Sequence, residues 1–541
     1  MELSSNLTTN KNWQNLFEDQ NLVDRFCKDV FPNYMQSKRW FAGKGANINF
    51  FRLEFLLDYF VEDRKYYLGV IEVVLENSAT HRYFIPLDFH MGNPDHVENE
   101  AIITPIKIQN EVGLLTDAIY SSNFRNDLFL KILNQDKPDT NIGFFQFLRG
   151  SILANESNSN INSRLLNADQ SNTTIVYNDK YFLKIYRRLY REINPDFELT
   201  YFLSEKTKFQ NSPKFAGSVT WKRDNLPDIS IGLMQQKIDH HSEAWPYMVG
   251  KTASFFEILE KENIELSQLS SVSIYKPNKH FEETEIMNYL IGSEVLNFVQ
   301  QLGLRTAEMH IALASDKTEK SFSPRNFNED YSVWLKNRLN QQFDRRYLLV
   351  EQNFHKLKGL SKKYAQKVLD SKNNIKNFIL DFDELKLIST RIRIHGDYHL
   401  GQVLIGESDL FILDFEGEPE ATIRDRKVKQ PPLKDVAGML RSFHYAIYAT
   451  IFNRMPNSNL TQEQLFTAGE HYYHTIGGLF LKTYMEKAME KSLNIGYQKE
   501  INYLLKYHLL EKAIYEMGYE LNARPDWAII PLTGLINLIE E

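Results

Sequence analysis

Residues 391–418 read Arg-Ile-Arg-Ile-His-Gly-Asp-Tyr-His-Leu-Gly-Gln-Val-Leu-Ile-Gly-Glu-Ser-Asp-Leu-Phe-Ile-Leu-Asp-Phe-Glu-Gly-Glu. Val403–Ile405 and Leu410–Leu413 are short, apolar and β-prone, and the polar run Gly406-Glu407-Ser408-Asp409 between them suits a turn. A loop followed by a hairpin is therefore expected. Its geometry gathers three oxygen-bearing side chains: Asp397 before the first strand, Gln402 at its start and Asp414 at the end of the second. Transfer of a phosphoryl group from a nucleotide needs such a set. One carboxylate takes the proton of the attacking hydroxyl, and two oxygen donors hold the magnesium that neutralises the phosphates.

The spacing sharpens this reading. A protein-kinase catalytic loop has an Asp, an Asn five residues later, and then Asp-Phe-Gly across a hairpin. Here Asp397 is followed by Gln402 and then by Asp414-Phe415-Glu416, so an amide oxygen is kept on a longer arm. The alternative is a structural turn, in which Asp397 accepts backbone hydrogen bonds.

Working upstream, Asp169–Tyr177 and Lys180–Tyr186 read as two strands around an Asn178-Asp179 turn. Lys184 lies within the second, between Leu183 and Ile185, facing either solvent or a phosphate. Glu198 follows on a helix expected over Asp196–Lys206, where it could pair with Lys184 and aim it at the nucleotide. The chain has no Gly-rich phosphate loop of the usual kinds. Gln170, Ser171, Asn172 and Thr173 would replace it with hydroxyls and backbone amides, although a Ser/Thr-rich turn looks the same. Ile229–Ile238 reads as a connecting strand. Its end, Gln236-Lys237-Ile238, lies where a kinase-like fold offers backbone to adenine.

Further upstream, residues 13–31 carry the apolar spacing of an amphipathic helix. Arg39-Trp40-Phe41-Ala42-Gly43-Lys44-Gly45 suits a turn. Ile48–Phe60, Tyr66–Leu75 and His81–Leu87 suit an antiparallel meander, and Leu114–Asn134 suits a helix. Downstream of Glu243 the chain turns helical, with long helices expected over Ala244–Leu259, Glu285–Ala314 and Val436–Phe452. Asp435 would cap the last of these or anchor the catalytic loop. Lys512, Tyr515, Glu516 and Tyr519 share one helix face, which suits either a sugar or a partly buried stripe with a Lys512–Glu516 pair.

Bulk properties exclude several classes. The chain has 541 residues, 43% hydrophobic and 25% charged, with a net charge of −7. That is ordinary for a globular protein and gives no electrostatic footprint for nucleic acid. The single cysteine, Cys27, allows no intrachain disulfide and no Cys-rich metal site. The N-terminus lacks the pattern of a signal peptide and no apolar run has the length of a membrane span, so a cytoplasmic protein is expected.

These blocks, in this order, resemble the bacterial maltokinase family, relatives of the aminoglycoside phosphotransferases. The resemblance rests on Arg39–Gly45, Gln170–Thr174, Asn194-Pro195-Asp196-Phe197-Glu198 and Arg305-Thr306-Ala307-Glu308-Met309-His310. It continues through His395–Gln402, Leu413–Pro419, Asp435–Phe443 and Glu511–Trp527. It implies an α+β, bilobal, protein-kinase-like fold in three parts: an N-terminal cap over 1–110, a β-rich nucleotide-binding lobe over 111–238 and a helical C-terminal lobe over 239–541. It implies an ATP- and magnesium-dependent kinase forming maltose 1-phosphate on the route from trehalose to α-glucan, with trehalose synthase as a possible associate. Asp397 would be the base, Gln402 and Asp414 the metal ligands, and Lys184 with Glu198 the phosphate pair. His399, Glu416, Lys512, Tyr515, Glu516, Tyr519, Arg524 and Trp527 would shape the sugar site. Glucosamine is the alternative acceptor, since related enzymes on this framework phosphorylate it. A silent kinase-like binding module is disfavoured by the intact Asp397, Gln402, Asp414 and Lys184.

Overall fold

The structure is a computed structural model that describes residues 7–76, 79–92, 97–157, 160–166, 171–274 and 284–540. Gln170 lies outside them. The chain divides into two compact units, residues 1–205 with 213–237 and residues 206–212 with 238–541.

The first unit is β-rich. Its opening stretch is helical but jointed: a 3₁₀ turn over Trp13–Glu18, α1 (Gln20–Arg25), a π turn over Phe26–Val30 and α2 (Phe31–Ser37). Asp19 breaks the single helix expected over 13–31. Its carboxylate accepts Leu22 N–H at 3.2 Å and so starts a new helix. A sheet follows, built from β1 (Thr8–Thr9), β2 (Ile48–Val61), β3 (Arg64–Leu75), β4 (Thr80–Met91), β5 (Ile102–Ile108) and β6 (Glu111–Asp117), in the order β1-β5-β6-β4-β3-β2. The antiparallel meander of β2, β3 and β4 is as expected. The sheet continues past residue 110, and the helix expected from Leu114 starts later. Asp117 ends β6 by accepting Ile119 N–H at 3.1 Å, and α3 then spans Ser122–Asn134.

This sheet is buried on both faces. Along β3, Tyr66, Leu68 and Val70 join a core with Phe124, Leu128 and Ile132 of α3. The alternate residues Tyr67, Ile71 and Val73 join a different core with Leu22, Phe26, Phe31 and Met35. A second sheet backs the first of these cores. It comprises β7 (Phe144–Arg149), β8 (Ser163–Leu165), β9 (Thr173–Tyr177), β10 (Tyr181–Ile185), β12 (Phe215–Lys222) and β13 (Ile229–Gln236), in the order β7-β12-β13-β10-β9-β8. Asn178 and Asp179 both have positive φ, 52° and 53°, as a tight β9–β10 hairpin requires. Between β10 and β12, β11 (Arg188–Leu189) returns to pair with β4, and α4 spans Pro195–Tyr201.

The second unit is mainly helical: α5 (Ala244–Lys261), α6 (Glu285–Ile291), α7 (Ser293–Leu313), α8 (Glu329–Asn353), α9 (Gly359–Asp370), α10 (Lys372–Leu380), α11 (Leu433–Arg454), α12 (Gln462–Glu490), α13 (Gln498–Ala523) and α14 (Ile529–Glu540). The helix expected over 285–314 is two, because Gly292 adopts φ +81° between α6 and α7. Short strands β14 (Ser242–Glu243), β17 (Val403–Ile405) and β18 (Leu410–Ile412) form one small sheet, and β15 (Arg325–Asn326) pairs with β16 (Thr390–Arg391). Among the described residues no helix is long and apolar enough to cross a membrane.

Candidate active site

In the first unit, β10 aligns Lys184 opposite Thr174 of β9 and Leu233 of β13. Its Nζ lies 2.8 Å from Asp196 Oδ2, and Asp196 is fully buried. Asp196 is thus an acidic partner of Lys184 that the sequence reading passed over in favour of Glu198, two residues further along α4. The signal was present: Asn194 caps α4 by accepting Asp196 N–H at 2.9 Å, and Pro195 occupies the first turn. That start fixes Asp196 in the turn nearest the sheet.

Ser171 and Asn172 precede β9, and Thr173 opens it. Thr173 Oγ1 accepts from Arg187 Nε at 2.8 Å. Arg187 is wholly buried, with its Nη2 2.7 Å from Asp117 Oδ2 and its guanidinium 5.1 Å from the Trp40 ring. Tyr34 OH donates to the same Asp117 oxygen at 3.0 Å. At the end of β13, the N–H groups of Gln236 and Lys237 donate to Lys214 O and Lys180 O, at 2.9 and 2.8 Å. Ile238 belongs to the second unit.

In the second unit the hairpin forms as read, with Val403 opposite Ile412 and Ile405 opposite Leu410. The loop before it is pinned along one face of α11. Asp435 accepts His395 N–H at 2.7 Å and Gly396 N–H at 2.9 Å, one on each carboxylate oxygen. His310 Nε2 also approaches it, at 3.1 Å. Burial would raise the pKa of Asp435, but His310, His395 and the Gly396 amide hold it below its ordinary value. One turn on, Gly438 lets the helix meet the loop; a Cβ there would sit 2.7 Å from Tyr398 O. One turn further, Ser442 Oγ accepts Leu400 N–H at 3.0 Å. Asp435, Gly438 and Ser442 are spaced i, i+3, i+7, so they line one stripe of the helix.

The same loop is tied to the end of the hairpin. His395 Nε2 donates to Leu413 O at 2.7 Å, which leaves Nδ1 to accept Asp397 N–H at 3.4 Å. Its ring packs on Phe415 with centroids 5.0 Å apart. Gly396 has φ +86°, and a Cβ there would lie 3.2 Å from Gly417 Cα, so both loops need glycine where they touch. Gln402 Nε2 lies 3.5 Å from Asp414 Oδ2, and Leu413 N–H donates to Gln402 O at 2.9 Å. Asp414 itself adopts φ +64°, a strained conformation for a non-glycine residue and common at functional positions.

Lys512 of α13 reaches Asp397, with Nζ 3.3 Å from Oδ1. Burial would lower the Lys512 pKa, yet the Asp397 carboxylate, with Glu418 and Glu516, holds it above its ordinary range. His399 Nδ1 accepts Gly401 N–H at 3.1 Å, which turns Nε2 toward Asp397 Oδ2 at 3.9 Å. Burial keeps His399 below its usual value of 6.5, although Asp397 opposes this, so the ring is mostly neutral at pH 7.

The remaining sugar-site candidates fall into two groups. Tyr515 lines a recess with Lys512, Glu418, Lys434, His508 and Glu511. Glu511, which the sequence reading did not single out, is the hub of that recess. Arg338 Nη1, Lys434 Nζ and His508 Nδ1 approach it at 2.7, 2.8 and 2.9 Å. Burial opposes ionisation of Glu511, but Lys434, His508 and Arg338 hold its pKa well below the usual range. Glu516 instead turns to Arg441, whose Nε and Nη2 both donate to its Oε2, at 2.9 and 2.7 Å. Thus neither Lys512 nor Glu516 spends its closest contact on the other. Tyr519 is exposed, and Arg524 pairs with Glu520 at 2.7 Å and lies 4.2 Å from the Trp527 ring. Glu416 follows Asp414 by two residues, and its carbonyl accepts from Arg426 Nη1 at 3.3 Å.

Comparison with known proteins bears on the fold. Residues 34–120 match the maltokinase N-terminal cap domain. A solved glucosamine kinase, in complex with glucosamine, ADP and inorganic phosphate, superposes with a TM-score of 0.61 at 15% identity, over 94% of this chain and 98% of that one. This chain has the glucosamine kinase fold. It is an α+β, kinase-like fold with a maltokinase-type cap, as the resemblance read from the sequence implied. In sequence, it is 25% identical over 150 residues to the glucosamine kinase of Streptacidiphilus jiangxiensis, covering 28% of this chain and 32% of that protein. It is 26% identical over 149 residues to that of Mycolicibacterium smegmatis, covering 27% and 34%. The sequence match thus spans about a third of the length of these relatives.

Proposed function

We propose that this protein is an ATP-dependent sugar kinase that phosphorylates the anomeric hydroxyl of maltose, giving maltose 1-phosphate and ADP. The reading is carried by the second unit, where His395 accepts the Asp397 N–H and Lys512 meets the Asp397 carboxylate, near the hairpin bearing Gln402 and Asp414. Asp397 orients the sugar hydroxyl and takes its proton, and Lys512 keeps that carboxylate in place between turnovers. Asp414 offers a carboxylate beside the Gln402 amide, whose nitrogen faces it at 3.5 Å; with the amide turned to present its oxygen, the two are a hard donor set that fits magnesium. Bound there, the ion would neutralise phosphate charge. Lys184, steadied by Asp196, meets a nucleotide phosphate. Because the transition state is loose, most of the acceleration comes from positioning and charge neutralisation.

The maltokinase-type cap supports maltose as acceptor, on a route from trehalose to α-glucan that would place trehalose synthase nearby. The names of the curated relatives support glucosamine instead. A coupled assay of ADP release over maltose, glucose, glucosamine and trehalose separates the two. Maltose should give the highest kcat/KM. Faster turnover of glucosamine would replace the acceptor but keep the kinase, and no sugar-dependent ADP release at all would remove both.

A further inference from the structure

A recess of about 430 Å³ opens on the first unit, lined by no residue given a catalytic or binding role above. Small-ligand sites fall in the range of roughly 300–1,000 Å³. Its walls come from the end of β4, the start of β3 and the turn joining β5 to β6, and Asn12 and Trp13 close the remaining side. Aromatic carbon forms the floor. Trp13 and Phe89 lie nearly parallel, 25° apart with ring centroids at 5.8 Å. Gly113 lets Phe89 lie across β6, because a Cβ there would sit 2.6 Å from its ring. Both rings are half-buried and line the recess, so part of each is open to it. Met91, 63% exposed, adds an apolar edge.

The polar groups around that floor are fixed from beneath. Asp88 is buried, and its Oδ1 accepts from Arg64 Nε at 3.1 Å and from Arg64 Nη2 at 2.7 Å. His90 Nε2 lies 3.1 Å from the other oxygen, Oδ2. A carboxylate at that distance keeps a proton on Nε2 and leaves Nδ1 unspent. Among the described residues, Arg64 Nη1, Asn12 Nδ2, His90 Nδ1, the Gln109 side-chain amide and the Glu111 carboxylate take no hydrogen bond or ion pair. The first two donate, His90 and Glu111 accept, and the Gln109 amide does both.

We propose that this recess binds a neutral saccharide, either a free disaccharide or one end of a longer chain. A hydroxyl both donates and accepts, so a ring of hydroxyls is matched by donors and acceptors interleaved in this way. A pyranose also has an apolar C–H face, which suits aromatic carbon and a thioether. The charges decide against other classes. Asp88 is offset by Arg64, and Glu111 then opposes a phosphate. One unspent carboxylate among neutral groups is too few oxygen ligands for a hard cation. The inference uses residues of the first unit alone and stands whether or not maltose is the acceptor.

Calorimetric titration of the full chain with maltose, and separately with maltoheptaose, tests this. A chain carrying both Gln109→Gly and Glu111→Ala loses two of the unspent groups. Both positions are exposed, and glycine adopts the φ of +54° at residue 109 without strain. Sugar taken up at the acceptor site proposed for the second unit is common to both proteins and cancels. The wild type should show a binding event that the double substitution weakens about tenfold or more, the worth of two hydrogen bonds. The sugar giving the tighter event identifies whether a disaccharide or a longer chain is bound. Sorbitol, which carries hydroxyls without a ring, should not give it. Met91→Ala, on the exposed apolar edge, should weaken the same event and decides the matter if the double variant does not fold. An isotherm unchanged by the double substitution, or in that case by Met91→Ala, would overturn the site, as would sorbitol bound as tightly as the sugars.

Discussion

At the scale of single residues, the proposal rests on a carboxylate and the cation that holds it. Asp397→Asn should lower turnover by about 10²–10⁴-fold, the usual worth of a positioned base, with ATP affinity little changed. Steady-state kinetics beside nucleotide titration would show both, and a variant retaining most of its rate would contradict the base. Asp414→Asn should instead raise the magnesium concentration needed for half-maximal rate; an unchanged magnesium profile would count against Asp414 as a ligand. Lys429 gives a prediction for stability alone. Burial, and then Arg325, Arg393 and Arg391, press its pKa in the folded chain down to about 8, below its ordinary 10.5. Between those values the unfolded chain binds more protons, so stability should rise with pH across that window. Denaturant titrations at pH 8 and pH 10 should show this slope in the wild type and less of it in Lys429→Met. At this scale the sequence exposed positions better than partnerships. That Gln402 and Asp414 lie together could be read because a short hairpin joins them. The Lys184–Asp196 pair was signalled only by the Asn194-Pro195 start of α4, which fixes where Asp196 meets β10.

At the scale of elements, α11 acts as the jig for the loop bearing Asp397. Its contacts at Asp435, Gly438 and Ser442 leave no room for a larger residue at the middle position. Gly438→Ala would drive a methyl into Tyr398 O and should destabilise the protein by about 1–3 kcal/mol, as overpacking does. Turnover should fall as well, because the loop bearing Asp397 must move aside. Paired measurements of unfolding and kcat would reveal it, and a fully active Gly438→Ala enzyme would show that the helix does not set the loop. The sequence marked Asp435 as a cap or an anchor, and the anchor role is what the geometry displays. Helical composition was legible, but joints were not. Asp19 and Gly292 interrupt helices whose apolar spacing runs straight through them, since a side-chain cap or one positive φ leaves the hydrophobic pattern intact.

At the scale of the molecule, the first unit is governed by a sheet buried on both faces. The run Tyr66-Tyr67-Leu68-Gly69-Val70-Ile71 is almost wholly apolar, the pattern of a strand covered on both sides. Reading it as an ordinary meander identified the strands and missed the second layer. Deleting residues 1–120 would uncover Phe124, Leu128 and Ile132 of α3, along with Trp221. The shortened chain should be insoluble or lack a cooperative melt, as judged by size-exclusion chromatography and calorimetry. A monodisperse fragment melting in a single transition would show that the cap is dispensable to the fold.

Because one ribbon of backbone furnishes walls to two interiors, a change of volume at Tyr66, Leu68 or Val70 on one side of it is transmitted to Tyr67, Ile71 and Val73 on the other. Grafting another N-terminal segment onto this chain would therefore have to refill both interiors at once.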